Sequence, residues 1–194
     1  MLMVVASTSG GDEEGAARRA TDRTFFGGST AIRCSNMKAR VYLETSVISY
    51  LVGWLNQRSI LVAHNQEFTR EWWSQRRHEY ALFSSAVAIN EARRGETPLA
   101  NERLNFLAET TLLDITDSAT SLALELLRHT RIPTKADVDA LHVAVATVHG
   151  MDYLLSWNCK HIVNGNILPQ VYAVCRATGY EPPLICTPSE LMEP

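Results

Sequence analysis

Long apolar runs are missing from this chain. No stretch approaches the about 18 to 20 residues needed to span a bilayer, and the longest candidates are broken by His or polar side chains, so no membrane span is expected. A basic excess is missing too: 18 Lys+Arg stand against 21 Asp+Glu, a formal charge of −3. That excludes holding nucleic acid by bulk electrostatics, and a polyanionic partner would have to meet locally arranged cations. Cysteine is sparse, and Cys34, Cys159, Cys175 and Cys186 form no CxxC pair, which argues against a disulfide scaffold or a structural zinc knot and for a reducing cytosol. No targeting signal is expected either. Met1 to Ala6 is apolar but lacks a basic flank and is too short for a signal-peptide core, while Asp12, Glu13, Glu14 and Asp22 interrupt the arginines a transit peptide would need.

What is there suits one compact domain: 194 residues, 46% of them hydrophobic, enough to build a sizeable core. Residues 1–36 read differently from the rest, since they hold five of the ten glycines among Ser, Thr and balanced charge. The expectation is a flexible N-terminal tail, with Met37 as the hypothesised true start and 37–194 as the domain.

From residue 40 onward, short apolar runs alternate with longer helical patterns, which predicts an α/β fold with a parallel sheet. Strands are expected at Val41–Leu43, Tyr80–Phe83, Leu112–Ile115, Tyr153–Ser156 and Leu184–Cys186. Their nearly unbroken apolar character suits strands covered by helices on both faces. Helical spacing of Leu61, Phe68 and Trp72 predicts a helix over 60–78, and Leu122, Leu126 and Leu127 mark another over 121–129. The stretch Ala140–Val148 is apolar on almost every side, interrupted only by His142 and Thr147, so this helix is expected to be enclosed all round.

Three acids sit where a core does not want them. Glu44 follows Val41-Tyr42-Leu43 at the carboxyl end of the first strand, where open α/β sheets bind ligands; it reads equally as a first-turn acid favoured by the helix dipole. Glu91 lies about two turns into an apolar helix starting near Ala86. Alone, it reads as the start of the solvent face, paired with Arg94 or Arg93. Near the start of the enclosed helix, Thr134 with Asp137 resembles a capping box, and Asp139, rotated about 200° from Asp137, shares a stripe with His142, Val143 and Ala146. A carboxylate there is only partly solvated and calls for positive compensation. Asn158, after the fourth strand, offers a neutral carbonyl oxygen or acts as a turn residue. Were these groups to converge, their like charges would repel unless a divalent cation sat among them. Hard oxygen donors select Mg²⁺ or Mn²⁺, and the natural chemistry of such a site is phosphodiester hydrolysis.

The segments Val41-Tyr42-Leu43-Glu44-Thr45-Ser46, then Glu91, then Asp139-Ala140-Leu141-His142-Val143-Ala144, then Leu154-Leu155-Ser156-Trp157-Asn158-Cys159-Lys160-His161 together resemble the PIN-domain ribonucleases. Within that family the resemblance is specifically to VapC-type toxins of toxin–antitoxin pairs. The resemblance spans nearly everything from Met37 onward. It implies a three-layer α/β/α fold with a central parallel sheet, Mg²⁺- or Mn²⁺-dependent endoribonuclease activity on RNA, a small antitoxin partner and a homodimer. By position it makes Glu44, Glu91 and Asp139 metal ligands, puts Asn158 in the fourth acidic place and gives Ser46 a supporting hydrogen bond. Two departures from the family's pattern stand out: Glu44 replaces the usual Asp with a side chain one methylene longer, and Asn158 removes a charge. They motivate the alternative of a PIN-fold module without catalysis that binds RNA or a partner protein.

Other residues carry blander readings. Trp157 is expected to pack rather than stack on a base, and Lys160 and His161 are candidate phosphate contacts. His142 reads as a satisfied buried histidine, and Cys159 beside His161 lacks the orienting acid a thiol nucleophile needs. Arg76, Arg77, Arg93 and Arg94 read as solvated surface. Trp72 and Trp73, about 100° apart on their helix, are not expected both to face the core, which leaves one for a dimer or antitoxin contact.

Overall fold

The computed structural model of the chain describes residues 37–54 and 58–192; the tail expected at 1–36 lies outside them. Among the described residues the elements run β1 (Ala39–Leu43), α1 (Thr45–Val52), α2 (Ile60–Gln75), β2 (Tyr80–Ser85), α3 (Ala86–Ala92), α4 (Thr97–Leu107), β3 (Thr111–Leu113), α5 (Asp117–His129), α6 (Asp137–Val148), β4 (Tyr153–Leu155), α7 (Leu168–Ala177) and β5 (Leu184–Cys186). The sheet has the order β3-β2-β1-β4-β5 with every pairing parallel. In its register Val41 lies beside Leu82 on one side and Tyr153 on the other.

Alternation along β1 builds a core on each face of the sheet, because successive side chains point to opposite sides. Val41 and Leu43 pack with Val47 and Ile48 of α1, Trp72 of α2, Ala88 of α3 and Leu107 of α4. Tyr42 points the other way, into Leu122 and Leu126 of α5, Val143 of α6 and Val171 of α7. The result is three layers, α/β/α. Only the central strands are covered on both faces. At the sheet's edges Leu112 of β3 is 53% exposed and Leu184 of β5 is 56% exposed, which corrects the expectation that all five strands are enclosed.

Other local expectations also change. Trp72 and Trp73 are both buried, at 0% and 7% exposure. The helix carrying them is clasped from two sides: Trp72 lies 5.9 Å from the Tyr80 ring, and Trp73 meets Phe106 of α4 edge-on at 5.3 Å. Thr134 forms no capping box, because Thr134–Ala136 is a short 3₁₀ turn that makes Ala136 the N-cap of α6, with no side-chain cap. The helices α4 and α7, beyond those the apolar spacing predicts, each carry a proline in their first turn, a start signal independent of periodicity.

The chain leaves α6 through Gly150, whose φ of +64° lies in the left-handed region that glycine adopts without penalty. There Gly150 N donates to Thr147 O and Met151 N to Ala146 O, both at 3.0 Å, the paired bonds of a Schellman stop. This turn delivers β4 beside β1, and with it the polar segment that follows β4. No helix among the described residues is long and apolar enough to cross a membrane.

Candidate active site

The strand order changes direction at β1: the chain first runs outward through β2 and β3, then returns to lay β4 on the other side of β1. Such a switch point opens a crevice beyond the carboxyl ends of the strands. Glu44 stands there, in extended conformation between β1 and α1, its N–H donating to Leu155 O of β4 at 3.1 Å. Its side chain makes no cap to α1 and is 5% exposed. Instead Oε2 receives the hydroxyl of Ser46 and, at 2.8 Å, that of Ser156. Both hydroxyl oxygens already accept a backbone N–H, Ser46 from Trp157 at 2.8 Å and Ser156 from Asn158 at 2.9 Å. Since a carboxylate only accepts, both hydroxyl protons are committed to Glu44.

Glu91 does not open a solvent face. It turns inward from α3, and its Oε2 accepts from Thr45 Oγ1 at 2.6 Å and from His142 Nε2 at 2.9 Å, so the pairing expected with Arg93 or Arg94 is replaced by two buried donors. Burial acts to raise the Glu91 pKa, but the hydrogen bonds from His142 and Thr45 outweigh it and hold the carboxyl below its ordinary range. Behind it, His142 Nδ1 meets Tyr42 OH at 2.8 Å, and Tyr42 OH meets Ser85 Oγ at 2.6 Å. Burial pushes the Tyr42 phenol well above its usual value, so it stays protonated.

Asp137 points to solvent while Asp139 turns inward. The partner Asp139 needs is His161, whose Nδ1 lies 2.8 Å from Asp139 Oδ2. Asn158 acts in the turn: its Oδ1 accepts from His161 N at 3.1 Å. Hydrogen bonds thus run from Glu44 through Ser156, Asn158 and His161 to Asp139.

The structure brings together Glu44, Glu91 and His142, with one ligand atom from each within 4.8 Å of the others. Asp139 sits three residues before His142 on the same helix, held to His161 and outside that cluster. His142 is a poor ligand despite its place, because both its nitrogens are taken by Tyr42 and Glu91. The three carboxylates differ. In each, one oxygen takes the protein's donors, and no hydrogen bond among the described residues engages the other. A set of unengaged carboxylate oxygens fits a hard divalent cation.

Several participants escape the sequence. Tyr42, Thr45 and Ser156 look like ordinary strand and turn residues; the only sequence signal for the His142 contact is its position on the stripe of Asp139. Trp157 packs as expected, stacked on Tyr50 at 6.0 Å with Nε1 donating to Thr69 Oγ1 at 2.7 Å. Arg76 and Arg77 pair with Glu79 and Glu109. Partial burial, then the charge of Glu190, raises the Cys159 thiol pKa, the wrong direction for a nucleophile.

No protein-family model matches the sequence, and a comparison with curated proteins finds no match. Solved structures do match. The toxin VapC20 of Mycobacterium tuberculosis, described as cleaving the sarcin–ricin loop, aligns at 16% identity over 62% of this chain and 91% of its own, with a TM-score of 0.49. VapBC2 of Rickettsia felis, solved with a DNA fragment from its promoter, aligns at 17% identity over 62% and 89%, with a TM-score of 0.40. At such identities and TM-scores, neither likeness decides what this chain does.

Proposed function

We propose that residues 37–194 form a PIN-type domain acting as a Mg²⁺- or Mn²⁺-dependent endoribonuclease of the VapC kind. The observation that carries this reading is the approach of the Glu44 and Glu91 carboxylates within 4.8 Å, each anchored through one oxygen. Two like charges at that distance in a partly buried crevice repel by several kcal/mol, about 3 at an effective dielectric near 20, so the protein's own donors hold together a pair that a cation would neutralise.

When bound, such a cation supplies charge neutralisation and polarisation of a phosphodiester and of water. Glu44 and Glu91 are the residues that would hold it, with Asp139 completing the acidic set from α6. Ser46 and Ser156 orient Glu44 and take up its extra methylene by fastening Oε2. Asn158, lacking the fourth acid's charge, holds the His161 backbone and so the turn that meets Asp139. Lys160, exposed two residues after Asn158, is a candidate contact for a backbone phosphate. That RNA is the substrate, that an antitoxin and a second copy are the partners, and that the protein works in the cytoplasm all rest on the resemblance of the four segments, with the free thiols of Cys159, Cys175 and Cys186 in keeping with a reducing compartment.

The test is cleavage of single-stranded RNA with Mg²⁺ or Mn²⁺. Activity should disappear with EDTA and in Glu91→Gln and Asp139→Asn; cleavage that survives both substitutions contradicts the assignment.

A further inference from the structure

The core between β1 and α6 carries a file of polar groups that packing does not require. Ser85, Tyr42 and His142 are each wholly buried, where an aliphatic side chain would fill the space without a desolvation penalty. Their contacts form one line: Ser85 Oγ to Tyr42 OH at 2.6 Å, Tyr42 OH to His142 Nδ1 at 2.8 Å, and His142 Nε2 to Glu91 Oε2 at 2.9 Å. The line has a single end that reaches solvent, the Glu91 side chain at 24% exposure. A carboxylate can only accept, so Nε2 of His142 donates to it. In the neutral ring Nδ1 then accepts from Tyr42, and Tyr42 accepts from Ser85. Every proton along the file has one assigned place.

We propose that Tyr42 and His142 are positioning residues that aim Glu91 at Glu44. The inference rests on the metal-site reading and deepens it. A glutamate carries three side-chain torsions and is easily misdirected. Here two donors converge on the same oxygen, Thr45 Oγ1 and His142 Nε2, which leaves Oε1 for a ligand. The imidazole cannot swing, because its far nitrogen is fixed by the hydroxyl of Tyr42, whose ring meets it edge-on at 5.7 Å and is rooted in the central strand. Such outer partners of a metal ligand set its direction, and their loss weakens metal binding.

The experiment uses the full chain and Mn²⁺ alone. Tyr42→Phe removes one oxygen and keeps the ring. The expected result is a folded variant whose Mn²⁺ dissociation constant, by calorimetry, rises roughly 10- to 100-fold. In a Glu91→Gln background the same change should add less than about threefold, because its effect passes through Glu91. A folded Tyr42→Phe protein with wild-type Mn²⁺ affinity overturns the proposal, and so does full additivity with Glu91→Gln. Nitrogen NMR of the wild type gives a readout that needs no variant: the Nε2–H tautomer of His142 supports the proposal, and the Nδ1–H tautomer overturns it. Wild-type protein that binds no Mn²⁺ overturns the metal-site reading itself, a result separate from loss of binding in the variant alone.

Discussion

Glu44 and Glu91 solve the same problem with different chemistry. One carboxylate oxygen of Glu44 is held by two serine hydroxyls whose own oxygens are tied to the backbone after β4; that of Glu91 is held by a threonine and a histidine. Ser156→Ala removes a donor from Glu44 and leaves the Asn158 N–H without its acceptor. The loss of the buried bond should lower stability by about 1 kcal/mol, while Mn²⁺ affinity falls by roughly tenfold or more; calorimetry beside urea unfolding separates the two. Glu91 adds a pH signature. Its folded-state carboxyl lies below the ordinary value of 4.5 because His142 and Thr45 outweigh the cost of burial. The stability this contributes is therefore complete above the unfolded value and lost as pH falls through the depressed one. As pH falls below the ordinary 4.5, wild type should lose stability relative to Glu91→Gln in metal-free urea titrations, and an unchanged difference would refute the assignment.

Elements were legible where their apolar runs were short and pure. β1 could be read from Val41-Tyr42-Leu43 because a central parallel strand is covered on both faces and needs no polar side, whereas the edge strand β3 exposes Leu112, which composition does not reveal. Helix boundaries followed capping chemistry that spacing ignores: α2 begins where Ser59 accepts from Val62 N at 3.4 Å. The pair Trp72-Trp73 departs from expectation because a rotation of about 100° excludes a shared face but not burial against two different neighbours. That correction is measurable. Trp73 packs on Phe106 and lies under the Arg77 guanidinium at 4.8 Å, so Trp73→Ala should cost about 3 to 5 kcal/mol, against the at most about 0.5 kcal/mol typical of an exposed site; equilibrium denaturation distinguishes the two.

For the molecule as a whole, the sheet order decides what sequence could not. The acids were visible as misfits, but their separation along the chain says nothing of distance; only the return of β4 beside β1 brings Ser156 to Glu44 and sets Asn158 and His161 opposite Asp139. Thr45, Tyr42 and His142 stayed hidden for a related reason, since a buried hydroxyl or imidazole reveals its purpose only through a partner on another element. A site assembled this way ties α1, α3, α6 and β4 to the central strand, so whatever binds between Glu44 and Glu91 stabilises the fold by mass action, provided the unfolded chain, with its acids dispersed, binds it weakly. At a Mn²⁺ concentration about 100 times its dissociation constant the gain is about 2.7 kcal/mol, which for a unit of this size corresponds to a rise of roughly 5 to 11 °C in melting temperature. Glu44→Gln combined with Glu91→Gln should abolish the rise while sparing the metal-free fold, because both amides keep an oxygen for the serine, threonine and histidine donors. Scanning calorimetry with and without Mn²⁺ checks this: a rise of equal size in the double variant would place the ion elsewhere on the protein, and no rise in wild type would deny the carboxylate pair its cation.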